Sequence, residues 1–440
     1  MEYVSYHGNP VKFMRRITIL SSMGIVMDGY TLTVFSYALL YLIPEMHLSS
    51  YEISIMGISS IMGVFVGSVI FGHLADKYGR KSIYLYDLIF VSIFIFITGF
   101  SVNYIEFSIF QFLAGIGIGA DYPVSSSIQA EYSPQEKRGK YLVFNIFSFS
   151  IGSLIFLIVA IPLVLFTGPY AWRYMYIIGA VFPLIVLFSR NSLEETPYWL
   201  KEKFGDNALK NLDKKIESET GFHFMGIPEL EKGKSKLSDI FSKKYILMTI
   251  FVSIAWFSYD VVSYGIWTYS PLIFSTQISS VYTNLYVVFS GMAESVPVFI
   301  GFIIAIYYVE RIGRRPLLII GFLGSLIVLI SFFFINEFIS ITFLFTFSAF
   351  GLVHFFHNIG PSPMTYDYPV EIFPTRIRAS AMGFSTSFSR LGSILAVFSF
   401  PFIDALFGLK AIVIYFAAFE FIGLIITILL APETKNTPLK

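Results

Sequence analysis

Twelve stretches of this chain are apolar for about the twenty residues that a helix needs to cross the ~30 Å hydrocarbon of a bilayer. They are read at 17–43, 53–74, 82–102, 105–130, 140–166, 173–190, 245–271, 282–308, 317–335, 341–368, 379–402 and 410–431. The chain is 55% hydrophobic and 13% charged, with mean hydropathy +0.72, whereas soluble domains carry about 25% charged residues. That is too little polar surface to wrap 440 residues as a solvated globule. The opening MEYVSYHGNPVKFMRR has no short apolar core with a small-residue cleavage site, so removal of a signal peptide is not expected. The absence of cysteine excludes disulfides and thiolate metal sites.

Lys and Arg collect in alternate loops. Lys12, Arg15 and Arg16 precede the first span, Lys77, Arg80 and Lys81 follow the second, and Lys137, Arg138 and Lys140 follow the fourth. The same side takes the 191–244 segment, then Arg311, Arg314 and Arg315, then Arg376 and Arg378. The other loops hold Arg173 and Lys410 at span edges. Positive residues stay cytoplasmic, so both termini and the 191–244 segment are expected inside a plasma membrane crossed an even number of times.

The chain also repeats itself. Gly72-His-Leu-Ala-Asp76-Lys-Tyr-Gly79-Arg80-Lys81 lies between spans 2 and 3, and Val309-Glu310-Arg311-Ile-Gly313-Arg314-Arg315 between spans 8 and 9. Each has an acid four residues before an arginine (76→80, 310→314). An acid and an arginine seven apart then recur, Glu131…Arg138 after span 4 and Glu371…Arg378 after span 10. Internal repeats of this kind mark a two-bundle transporter. The expected fold is an all-α integral membrane protein of twelve helices in two six-helix bundles related by a pseudo-two-fold axis. Its divisions are 1–190, a 191–244 linker forming short amphipathic helices on the inner face, and 245–440. The repeated pairs are read as a gate that locks the bundles and opens on cycling, rather than as static braces.

Acids inside the spans carry the functional signal. Asp28, Asp121 and Asp260 stand in apolar helices, where an ionised carboxylate costs roughly 2.5 kcal/mol or more and marks an ion or substrate path. Asp260 shares a helix face with Trp256 and Tyr264, at i−4 and i+4. Ionised, it would repel an anion; protonated, it becomes a donor, and apolar surroundings without a counterion favour that form. Arg390, a dozen residues beyond Arg378, offers a planar fork for two oxygens. Tyr122, Trp256 and Tyr264 add neutral donors. Asn358 fits the site or a helix–helix bond. Glu294 is left as either the partner of a basic group or an extra proton site. His354 and His357, at i and i+3, lack a third ligand nearby and read as polar lining rather than a metal site. The Gly115-x-Gly117-x-Gly119 run lies within an apolar helix, so it serves close helix contact rather than a dinucleotide.

GHLADKYGRK and LEETPYWL (193–200) resemble the loop motif and the post-helix-6 signature of the major facilitator superfamily. GIGADYPVSSSIQAEY, WFSYDVVSYG and NIGPSPMTYDYPVEIFPTRIRASAMG are most similar to its phosphate:proton symporters. The resemblance implies that Tyr122, Trp256, Asp260, Tyr264 and Asn358 bind the oxyanion, with Arg390 where that family has a lysine. It implies proton coupling by Asp28 and Asp121, joined by Asp260 on the chemistry above. Phe147 and Ser362 replace a glutamine and an asparagine of the pattern, each removing a polar contact, and Phe147 adds bulk suited to a larger organic anion.

No Ser/His/Asp set, P-loop or zinc spacing is present, so neither an enzyme nor an ATP-driven pump is expected, and no cofactor, metal or nucleic-acid partner. The sequence reads as a monomeric secondary carrier that moves a small anion with protons by alternating access. Inorganic phosphate is the first candidate. Organic anions (aromatic, sugar or other carboxylic acids) are the second, and a non-transporting sensor is disfavoured by the intact repeats.

Overall fold

The computed structural model describes residues 10–190, 194–220, 236–278, 280–335 and 343–439. These residues form helices and turns, with no strand among them. The first half runs α1 (Pro10–Met46), α2 (Ser50–Tyr78), α3 (Arg80–Thr98), α4 (Tyr104–Tyr132), α5 (Arg138–Phe166), α6 (Ala171–Gly179) and α7 (Val181–Arg190). Two short helices follow, α8 (Pro197–Phe204) and α9 (Asp206–Thr220), where amphipathic segments were expected; residues 221–235 of that segment lie outside the described residues. The second half runs α10 (Ile246–Gln277), α11 (Thr283–Tyr308), α12 (Arg314–Ile335), α13 (Phe343–Ile359), α14 (Pro361–Ile372) and α15 (Arg378–Leu430).

All twelve expected spans appear, four of them with altered outlines. The sixth is divided into α6 and α7. The tenth breaks at Gly360, because Pro361 has no N–H to continue α13 and instead opens α14 at its first turn. Spans 11 and 12 merge in α15, whose 53 residues would reach ~80 Å at about 1.5 Å per residue. Gly408, at φ 71° and ψ 178°, turns the chain back between them. Polar caps start the helices: Ser49 and Glu52 form a reciprocal capping box on α2, and Asn103 accepts the Ile105 and Glu106 N–H groups of α4.

Packing between helices in lipid relies on close approach rather than on a hydrophobic drive. The glycines of α4 do this work against α2. A Cβ on Gly115 would stand 2.1 Å from the Ser60 carbonyl oxygen, and one on Gly119 would stand 2.6 Å from the Ser68 nitrogen. The two halves meet along α2 against α15 and α5 against α11. Replacing Gly115 by Val drives a branched side chain into backbone. We expect at least ~2 kcal/mol of destabilisation and a lower melting temperature for the detergent-solubilised protein.

Candidate functional site

Tyr122, Trp256, Asp260, Tyr264, Asn358 and Arg390 come from four helices, α4, α10, α13 and α15, yet all line one cavity between the halves. With its mouth it encloses about 980 Å³. Arg390 is its one Lys or Arg among the described residues. The guanidinium Nη1 donates to Asp260 Oδ2 at 2.6 Å, and Ser393 Oγ donates to the same oxygen at 2.9 Å. Both partners are buried. The rings of Tyr122 and Tyr264 hold the guanidinium at 4.8 and 5.0 Å from their centroids. Asp260 therefore has a counterion, contrary to the expectation of an unpaired acid. Asp260 Oδ1 and Arg390 Nε have no hydrogen-bond partner, so the pair leaves binding capacity unused. Aromatic side chains form much of the remaining wall: Phe149, Tyr259 and Trp267 besides those named.

Tyr366 packs behind the Tyr122 and Trp256 rings. Its hydroxyl donates to Asn145 Oδ1 at 2.5 Å, lies 3.1 Å from Ser125 Oγ, and so ties α14 to α5 and α4. The rings of Tyr122 and Trp256 meet it edge-on. Phe149 against Trp267 bridges α5 and α10 in the same way further along.

Other expected site residues lie elsewhere. Asp28 and Asp121 are wholly buried but are not among the cavity-lining residues. Phe147 does not narrow the cavity; it packs between α5 and α11 on Phe299 and Phe302. Ser362 does line it. The histidines part company. His354 faces the cavity, while His357 turns to α15 and bonds Glu420 Oε1 at 2.7 Å. No cluster of three metal-ligating side chains exists among the described residues.

The repeated acid–arginine motifs converge at the end of the molecule that carries the basic loops, and they exchange partners. Glu131 and Arg138 do not pair with each other, nor do Glu371 and Arg378. Instead Glu131 Oε1 takes Arg80 Nη2 at 3.1 Å and Arg378 Nη1 at 2.8 Å. Glu371 takes Arg314 through two bonds, 2.8 and 3.1 Å, with Arg138 at 3.9 Å. The four-residue pairs hold, Asp76–Arg80 at 3.1 Å and Glu310–Arg314 at 2.7 Å. Their carboxylates then reach across. Asp76 accepts the Ala379 and Ser380 N–H groups at the start of α15, and Glu310 accepts the Gly139 N–H at the start of α5. A carboxylate there also meets the positive end of the helix dipole.

A third repeated pair escaped the sequence reading. Glu195 accepts the Arg80 and Lys81 N–H groups that open α3; Glu433 accepts those of Arg314 and Arg315 that open α12. Gly79 and Gly313 precede them at φ 103° and 105°, where a side chain would be strained. The signal was Glu195-Thr196 near a proline, repeated as Glu433-Thr434 in the C-terminal tail. Burial pushes the Glu195 carboxyl up from its ordinary value, against the opposing pull of the Thr196 N–H and the Arg80 charge. The tail is a strap as well: Arg138 donates to the Thr437 carbonyl, and Thr434 to Glu371.

The model of a family described as "Sugar (and other) transporter" matches residues 17–440. The chain belongs to that family. It is a multi-pass membrane transporter, not an enzyme. A putative metabolite transport protein of Escherichia coli, YaaU, is 29% identical over 425 residues, covering 97% of this chain and 93% of its own. The niacin transporter NiaP of Acinetobacter baylyi is 25% identical, covering 88% and 86%. A probable inorganic phosphate transporter of Arabidopsis thaliana is 25% identical, covering 96% and 92%. The transporter shares its fold with the major facilitator superfamily proton:xylose symporter XylE, at TM-score 0.80 and 21% identity over 98% of both chains.

Breaking a buried ion pair by removing one partner's charge costs roughly 3–5 kcal/mol. The double change Glu131→Gln, Glu371→Gln removes both exchanged carboxylates. The chain has no native cysteine, so a lone Ser125→Cys reports directly on that end. We expect thiol labelling there to rise about tenfold or more over the same cysteine with both acids intact, tenfold being only ~1.4 kcal/mol.

Proposed function

We propose that this transporter is a proton-coupled symporter of a small organic monocarboxylate, preferably aromatic. It works in the plasma membrane as a monomer, with the basic loops cytoplasmic. Residues 1–190 and 245–440 rock about the central cavity, and the exchanged ion pairs serve as the inner gate. The observation that carries this reading is the Asp260–Arg390 pair in the cavity wall.

An anion entering the cavity needs a cation and donors in place of its hydration. Arg390 supplies the cation, but Asp260 already occupies one of its N–H groups. A proton on Asp260 cancels the competing charge and frees the guanidinium for a substrate carboxylate. Substrate and proton thus bind together, and losing the proton to the cytoplasm expels the anion. The sign is definite: substrate affinity rises as the external pH falls. Tyr122 and Tyr264 brace the guanidinium, Trp256 and Asn358 add donors, and Asp28 and Asp121 act from behind the wall as supporting acids. The aromatic walls suit a flat ring, and niacin, the cargo named for one relative, is a ring with one carboxylate.

Phosphate stands as the second reading, on the Trp256-x₃-Asp260-x₃-Tyr264 spacing and a relative named for phosphate. Against it, a phosphate dianion would meet a single cation already paired with a carboxylate.

In proteoliposomes with an inward acid gradient, we expect labelled niacin to accumulate and other aromatic monocarboxylates to compete, with phosphate inert. Accumulation of labelled phosphate instead selects the second reading. Uptake indifferent to the gradient rejects proton coupling. Asp260→Asn should keep substrate binding while flattening its pH dependence. Arg390→Met should weaken binding about 30-fold or more, as removing one partner of a desolvated charge pair costs ~2–5 kcal/mol.

A further inference from the structure

Glu294 of α11 lines the same cavity, is 8% exposed, and has no ion-pair partner among the described residues. Its Oε1 has no hydrogen-bond partner, and its Oε2 has one long contact, from Ser270 Oγ at 3.5 Å. Of the two alternatives open from the sequence, pairing with a basic group is not found. Asp260, on the same wall, has its guanidinium; Glu294 has nothing to balance a negative charge. Ser270 stands ten residues beyond Asp260 on α10, roughly 15 Å along the helix, on the side away from the exchanged ion pairs. Three residues before the acid, Gly291 is close enough to α1 that a Cβ there would stand 1.8 Å from the Tyr37 hydroxyl. The acid therefore lies where the two halves touch at the far end of the cavity.

The titratable and charged groups that line the cavity with it are Tyr37 from α1, Tyr122 from α4, Tyr259, Asp260 and Tyr264 from α10, His354 from α13 and Arg390 from α15. The α5 wall contributes Ile146, Phe149, Ser150, Ser153 and Leu157, none of which titrates. The one full cation is thus already bonded to Asp260. An ionised carboxylate shut in this position would bear its desolvation penalty with no compensating partner.

We propose that Glu294 is a proton-binding site of this transporter, filled when the far end of the cavity is closed and emptied when that end opens to water. It is separate from the Asp260–Arg390 exchange, and only its consequence for transport rests on the function proposed above. The test reads the proton itself. Infrared difference spectra of the purified protein in lipid nanodiscs, recorded between acid and alkaline pH, report each protonated carboxyl by its C=O stretch. We expect a band that survives in Asp260→Asn, is lost in Glu294→Gln, and returns at a shifted position in Glu294→Asp. A Glu294→Gln spectrum that keeps every carboxyl band overturns the proposal. Should Glu294→Gln fail to fold, an unshifted Glu294→Asp spectrum overturns it equally. Because no substrate is added, failure of this test is distinct from failure of the uptake experiment.

Discussion

A full charge withdrawn from water into a low-dielectric interior persists only beside its opposite, and the architecture of this transporter follows from where those opposites are placed. Arg80, Arg138, Arg314 and Arg378 are all buried. Each half supplies its own arginines and acids, and Glu131 and Glu371 each hold an arginine of their own half while reaching one of the other, Arg378 at 2.8 Å and Arg138 at 3.9 Å. Arg80 and Arg314 are balanced within their own halves, whereas Arg378 and Arg138 meet their acids across the contact between the halves. On the proposed gating, parting the halves there frees groups that must be hydrated, which ties opening on that side to water entering.

The duplicated scaffold contrasts with an unequal site. The helix-start clamps by Asp76 and Glu310, and by Glu195 and Glu433, obey the internal symmetry closely. The cavity does not. Asp260, Glu294, His354 and Arg390 all come from the second half, while the first contributes hydroxyls, aromatic rings and aliphatic side chains. On the proposed rocking of the halves, the titrating acids, the histidine and the arginine of the cavity, all from the second half, would keep their mutual geometry.

The spans and the duplication were legible because each rests on local pattern, hydropathy over about twenty residues and motif spacing, and the six cavity residues because buried charge, an i±4 face and the family resemblance picked them out. What escaped depends on contacts between distant segments. Spacing alone suggested that Glu131 belongs with Arg138, yet helix ends turn those side chains toward the opposite half. Phe147 looked like a cavity residue because it stands where the resembled symporters have a glutamine, but it packs on Phe299 and Phe302 of α11. Gly408 was hidden in an apolar stretch whose length alone betrayed a turn. Glu294 was visible as an oddity; only its surroundings show that no cation reaches it. Tyr366 and Asn145 join α14 to α5 through a bond between residues 221 positions apart, which no single-chain pattern encodes.

The resting pair also bears on energetics. Moving one elementary charge through a membrane potential costs or releases about 2.3 kcal/mol per 100 mV. On the proposed reading the empty cavity carries Arg390⁺ with Asp260⁻, a net charge of zero. The loaded cavity carries Arg390⁺, a substrate monoanion and neutral Asp260, again zero. Neither crossing is then biased by the potential through these groups, and one proton per monoanion suffices, with the pH difference as the driving force. A proton taken by Glu294 as the far end closes on the loaded crossing is returned to the same side as that end reopens on the empty one. It drops out of the stoichiometry, and its effect is on how readily that end closes rather than on what is carried.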